Sequence, residues 1–178
     1  QSYELIPNTQ KMIQGKTVTT NQWGMRDKPY TKQRPKNQYR FALVGASHEM
    51  GMGVGDESTF ESLLERRLNS QQNQGQIQGY EILNFAVTAY IPLHELYQIE
   101  TRVFDFEPNA VIYAGHSVEK QRMVQQLSNL IRNNAPIPYP ELEAILQKSG
   151  VDARDSVNVI RRRLLAYEDE LLDWIYQQ

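Results

Sequence analysis

The sequence predicts an α/β fold with a central parallel sheet. Three observations carry the prediction: three short apolar runs that each stop at a turn, helical stretches between them, and the resulting order β-loop-α-β-α-β. The first run, Tyr39–Val44, ends at Gly45, as a buried strand should. A glycine-rich turn, Gly45 to Gly55, leads into a helix over Phe60–Asn69. There Phe60, Leu63, Leu64 and Leu68 fall at helical spacing, with acids near the start and arginines near the end to match the helix dipole. The second strand is Tyr80–Phe85. Pro92–Phe106 then reads as one helix, with Leu93, Leu96, Ile99, Val103 and Phe106 on one stripe. Glu107-Pro108-Asn109 is a turn, and the third strand, Ala110–Ala114, stops at Gly115. Strands in this order are joined by right-handed crossovers.

The flanks differ in character. Residues 1–37 are polar and broken by Pro7, Gly15, Gly24, Pro29 and Pro35, which predicts an irregular arm with a short extended piece at Lys16–Thr20. Tyr3, Leu5, Ile6, Trp23 and Tyr30 give the arm apolar matter to dock on the domain of residues 38–178. Ser70–Gly79, rich in Gln, Asn and Gly, reads as a solvated loop. Beyond the third strand the chain turns helical: Ser117–Asn133, a proline-rich break at Asn134–Pro140, a short helix Glu141–Lys148 closed by Gly150, and a long final helix. Asp155 or Ser156 caps that last helix, which runs to about Tyr176 with Val157, Ile160, Leu164, Tyr167, Leu171 and Ile175 on its stripe. It either faces the core or offers a partner-binding face. Three strands alone would leave a sheet edge uncovered.

Composition narrows the function. The 178 residues carry 19 Lys+Arg against 21 Asp+Glu, a net charge of −2, so there is no basic footprint for nucleic acid. Cysteine is absent, which removes disulfides, thiolate metal ligands and cysteine nucleophiles. No apolar run approaches the roughly 18 residues of a membrane span. At roughly 150 residues per domain, the chain is one domain or part of a larger one. It starts at Gln1 and not Met, so a signal or anchor is expected to lie upstream if there is one. No cofactor and no metal are expected.

In parallel sheets the ligand site lies beyond the carboxyl ends of the strands. Topology therefore points Gly45-Ala46-Ser47, Asn84-Phe85-Ala86 and Gly115-His116-Ser117 toward one crevice. Ser47 reads as a nucleophile near helix N-terminal N–H groups, or as a turn serine bonding its own backbone. The glycines Gly51, Gly53 and Gly55 do not make a dinucleotide site, because the spacing is wrong and the second strand ends in Asn84, not an acid.

The run Tyr39–Asn69, "YRFALVGASHEMGMGVGDESTFESLLERRLN", resembles the first block of the SGNH (GDSL-type) hydrolases. Asn84-Phe85-Ala86-Val87-Thr88-Ala89-Tyr90 resembles the second block, and Gly115-His116-Ser117-Val118 the third. The arm segment Thr19–Tyr30, "TTNQWGMRDKPY", looks like the segment that precedes the domain in many extracytoplasmic bacterial members. The resemblance implies a three-layer, flavodoxin-like SGNH fold and hydrolysis of an acyl ester on a small molecule, carbohydrate or lipid. It puts Ser47 on the nucleophile and Ala86 and Ser117 on the oxyanion positions. It also implies an extracytoplasmic place, periplasmic or membrane-anchored through a segment outside this chain.

The departures from the family pattern are specific. Ala46 stands where the family has Asp, Ala86 where it has Gly, and Ser117 where it has Asn. The family's Asp-x-x-His block has no counterpart: after His116 there is no histidine. His116 is then the substitute base, and His94 is a surface or packing residue. Two expectations stay open. Either the remaining strands and the base lie outside these residues, or the chain is a catalytically degenerate SGNH-like module that binds a ligand or a protein partner.

Overall fold

The computed structural model describes residues 3–71 and 76–178. Residues 72–75, inside the expected Ser70–Gly79 loop, lie outside the described residues. The chain divides into two compact units, Gln1–Tyr90 with His94–Gly115, and Ile91–Leu93 with His116–Gln178.

The first unit is an α/β body. Its parallel sheet has three strands, β3 (Gln38–Val44), β4 (Gly79–Asn84) and β5 (Ala110–Tyr113), in the order β4-β3-β5. Phe41 pairs with Ile82 on one side and Ala110 on the other. Ala42 and Val44 of β3 and Leu83 and Phe85 of the β4 segment form a core with Val103 and Phe106. The arm completes that core with Met25 and Tyr30, and Trp23 packs on Phe106 with ring centroids 5.5 Å apart. Ile6, expected to dock, is exposed. The extended piece of the arm is half of a hairpin, β1 (Gln10–Ile13) antiparallel to β2 (Lys16–Thr19). Gln14 and Gly15 turn it with positive φ at both residues, the backbone that matches strand twist in a two-residue hairpin.

The helix α1 (Phe60–Ser70) faces opposite to its apolar stripe. Phe60, Leu63 and Leu64 are exposed, whereas Glu61 and Glu65 are buried. The cause lies in the neighbouring strand. In β4 the N–H groups of alternate residues point away from β3 and need acceptors. Asn69 Oδ1 accepts from Tyr80 N at 2.8 Å, Glu65 Oε2 from Ile82 N at 2.7 Å, and Asp27 Oδ2 from Asn84 N at 2.9 Å. Side chains thus stand where a further strand would, and the β4 edge expected to be bare is covered.

Two long helices of the sequence reading break. The helix α2 spans Pro92–Thr101, and a 3-10 turn over Val103–Phe106 follows. Arg102 at the break has φ −137°, and its guanidinium bonds Trp23 O and pairs with Glu4 at 3.1 Å. In the second unit the expected final helix is two, α5 (Val157–Leu165) and α6 (Glu168–Tyr176). Between them Ala166 N and Tyr167 N close i→i+3 bonds to Arg163 O and Leu164 O, the tighter turn that ends a helix. Ser156 caps α5 as expected, its side chain accepting from Val159 N. The unit also holds α3 (Glu119–Arg132) and α4 (Pro140–Ser149), the latter closed by Gly150 at φ +63°. Ile160, Leu164, Leu171 and Ile175 are buried, so the apolar stripe of the last two helices faces inward. No helix among the described residues is long and apolar enough to cross a membrane.

Candidate functional site

Ser47 lies in the turn that leaves the carboxyl end of the central strand β3. Gly45 is required there, because a Cβ would meet the Glu49 side chain at 2.5 Å. Glu49 is buried and its Oε2 accepts from Ala46 N at 2.9 Å. The turn is closed by backbone bonds from Met50 N to Ala46 O, Gly51 N to His48 O and Met52 N to Ser47 O. No regular helix starts at Ser47: α1 begins only at Phe60, capped by Thr59, whose side chain accepts from Ser62 N. The helix N-terminus expected beside Ser47 is therefore absent, and the local donor is the Ser47 N–H itself. Ser47 is half-buried, and neither its hydroxyl nor its N–H makes a hydrogen bond among the described residues.

One arginine holds this turn. Arg26, almost fully buried, bonds Asp56 Oδ1 through Nε at 3.0 Å. Its Nη1 donates to Met50 O and Gly51 O, and its Nη2 to Val54 O and Thr17 O. Gly51 has φ +81°, and a Cβ there would lie 2.5 Å from Thr59 Cγ2.

The second candidate loop follows β4 and is tied to the first. Val87 N donates to Gly45 O at 3.2 Å, and the Asn84 side chain donates to Glu49 O at 2.8 Å. Asn84 Oδ1 accepts from Ala86 N at 3.0 Å. The Ala86 N–H, expected to help hold an oxyanion, is thus engaged and buried. Ser47 and Ala86 share the first unit, whereas His116 and Ser117 belong to the second. There Ser117 is exposed, and His116 N donates to Glu119 Oε1. His48 is exposed. His94 is the packing residue expected of it: it stacks on Tyr90 at 5.0 Å, and burial lowers its pKa.

Sequence reading passed over a third group. Behind the arm a cavity of about 370 Å³ is lined by residues that include Arg26, Asp27, Lys28, Glu61 and Glu65. Asp27 titrates well above the ordinary carboxylate range, because it is buried and faces Glu61, and this outweighs the N–H groups of Asn84 and Lys28 that lower it. Glu61 is raised to about 7 by burial and by Glu65, against the hydroxyls of Thr59 and Ser62 and the Lys28 charge. Tyr30 is raised by burial and by the same acids, and its hydroxyl donates to Glu65 Oε2 at 3.0 Å. The signal in the sequence was Glu61, Glu65 and Asn69 at i, i+4 and i+8, one face of a helix. Among the described residues no cluster of three or more His, Asp or Glu is placed to hold a metal ion.

No family model matches the chain, and no curated protein matches it.

Proposed function

We propose that the chain carries the nucleophile of a serine-dependent acyl ester hydrolase of SGNH type, with Ser47 as the attacking residue. The observation that carries this reading is the position of Ser47: the carboxyl end of the central parallel strand, half-buried, with hydroxyl and N–H both unengaged among the described residues. Ligand sites of open parallel sheets fall at that place. The resemblance of Tyr39–Asn69 to the SGNH first block names the chemistry, and it implies the three-layer fold and an extracytoplasmic place.

In this reading Ser47 Oγ attacks the ester carbonyl while its proton passes to a base, and the Ser47 N–H holds the resulting oxyanion. Collapse expels the alcohol, which takes the proton back, and water then frees the acid from Ser47. The base is His116 or a group outside these residues. Ala86 N–H and the Ser117 hydroxyl are the further oxyanion donors. For Ala86 to serve, the Asn84 side chain must turn away from it.

That last requirement favours a second reading, a degenerate module of the same fold that binds a ligand or partner without turning it over. The engaged Ala86 N–H is its specific support. Ester turnover separates the two. With p-nitrophenyl acetate and butyrate, Ser47→Ala is expected to lower kcat/KM by about 10³ or more, since removing the nucleophile of such a set has at least that effect. Turnover equal in Ser47→Ala and the unsubstituted protein would leave the binding reading.

A further inference from the structure

Gln98 on α2 is only 2% exposed, yet its Oε1 accepts no hydrogen bond among the described residues. A buried amide oxygen so placed is costly unless something donates to it. The orientation of the amide is fixed by its other end. The Tyr90 hydroxyl donates its one proton to Tyr3 O at 2.5 Å, so toward Gln98 it can only accept, and Gln98 Nε2 faces it at 3.5 Å. Oε1 is the atom left over. Gln98 lines a second, small cavity of about 10 Å³ within the first unit, together with Leu5 and Gly24 of the arm, Phe85 and Ala86 after β4, and Arg102. A cavity of that size holds about one water molecule.

We propose that this cavity is the binding site of one buried water molecule, which donates to Gln98 Oε1 and to Leu5 O and accepts from the Arg102 guanidinium. Leu5 O lies against Gly24, where a Cβ would meet it at 2.5 Å, and it accepts no hydrogen bond among the described residues. Gln98 and Arg102 are four residues apart, so they share one face of the helix and its end. The guanidinium is drawn to Trp23 O and Glu4 and rests 6.0 Å from the Phe85 ring, which leaves N–H groups over and no direct bond to Oε1. Two acceptors and one donor match the two hydrogens and a lone pair of a water that makes three bonds. An ammonium ion is the poorer occupant because Arg102 is a cation, and an anion is poorer because Gln98 Oε1 and Leu5 O only accept. The water ties together the start of the arm, the segment after β4 and the end of α2.

The test is a crystal structure of the protein, grown without ammonium salts and at a resolution that shows ordered water. One peak is expected within about 2.7–3.2 Å of Gln98 Oε1, Leu5 O and an Arg102 nitrogen. Oxygen-17 relaxation dispersion counts the long-lived internal waters in solution. Gln98→Met keeps the length of the side chain and removes the acceptor, and it is expected to lose that peak and to lower the count by one. No peak beside Gln98 Oε1 in the unsubstituted protein, a direct bond from Arg102 to Oε1 in its place, or an unchanged count in folded Gln98→Met would each overturn the proposal. The first two readings need no variant, and none depends on whether Ser47 is a nucleophile.

Discussion

Replacing Arg26 by methionine is expected to destabilise the first unit by about 3–5 kcal/mol, the usual effect of removing one partner of a buried ion pair. The guanidinium is buried and makes five polar contacts, one to Asp56 and four to backbone carbonyls. Three of those carbonyls, of Met50, Gly51 and Val54, belong to the turn that carries Ser47, and the fourth, of Thr17, belongs to β2. Methionine fills much of the volume but leaves the carbonyls without a donor and Asp56 without its counter-charge. Arg26→Lys keeps the charge but not the fork, so it should fall between the two. Urea unfolding followed by Trp23 fluorescence in a Trp174→Phe background reads the first unit alone, and a shift in midpoint at constant slope gives the change. An Arg26→Met protein within about 0.5 kcal/mol of its parent would mean that the turn is held by other contacts.

The second large effect is in the pH dependence of stability. Glu61 is raised in the folded protein to about 7 from an ordinary 4.5, and Asp27 moves in the same direction. An acid whose pKa is raised by folding binds its proton more tightly in the folded state. Its contribution is therefore fully present below the unfolded pKa and is lost as pH rises through the folded one. For Glu61 the window runs from about 4.5 to about 7. The groups that face it are Glu65 on α1 and Asp27, Lys28 and Tyr30 on the arm. Gln resembles the protonated acid and does not titrate. Glu61→Gln is thus expected to match its parent at pH 5 and to exceed it at pH 8 by on the order of 2–3 kcal/mol. Stability curves that stay parallel between those two pH values would contradict this assignment.

The strands were legible because each is a short apolar run stopped by a turn residue, a signal local to a few positions. Ser47 was legible for the same reason, since it follows Gly45 at the end of the first run. The orientation of α1 was not. Phe60, Leu63 and Leu64 carry the apolar stripe, yet the unpaired N–H groups of Tyr80, Ile82 and Asn84 draw Asn69, Glu65 and Asp27 inward. That demand comes from a strand edge distant in sequence, which no periodicity of the helix itself reports. Nor was the engagement of Ala86 N–H by Asn84 legible, because it depends on the rotamer of one side chain. The break between α5 and α6 was hidden by a stripe that keeps its 3/4 spacing across Ala166-Tyr167, with neither glycine nor proline to mark it.

Labelling with a fluorophosphonate, read by intact mass and then by peptide mapping, tests the central claim that Ser47 is an activated nucleophile. The account predicts one adduct per chain, located on Ser47 and absent from Ser47→Ala. No adduct under conditions where a control esterase is fully labelled, or an adduct that persists in Ser47→Ala, would contradict it.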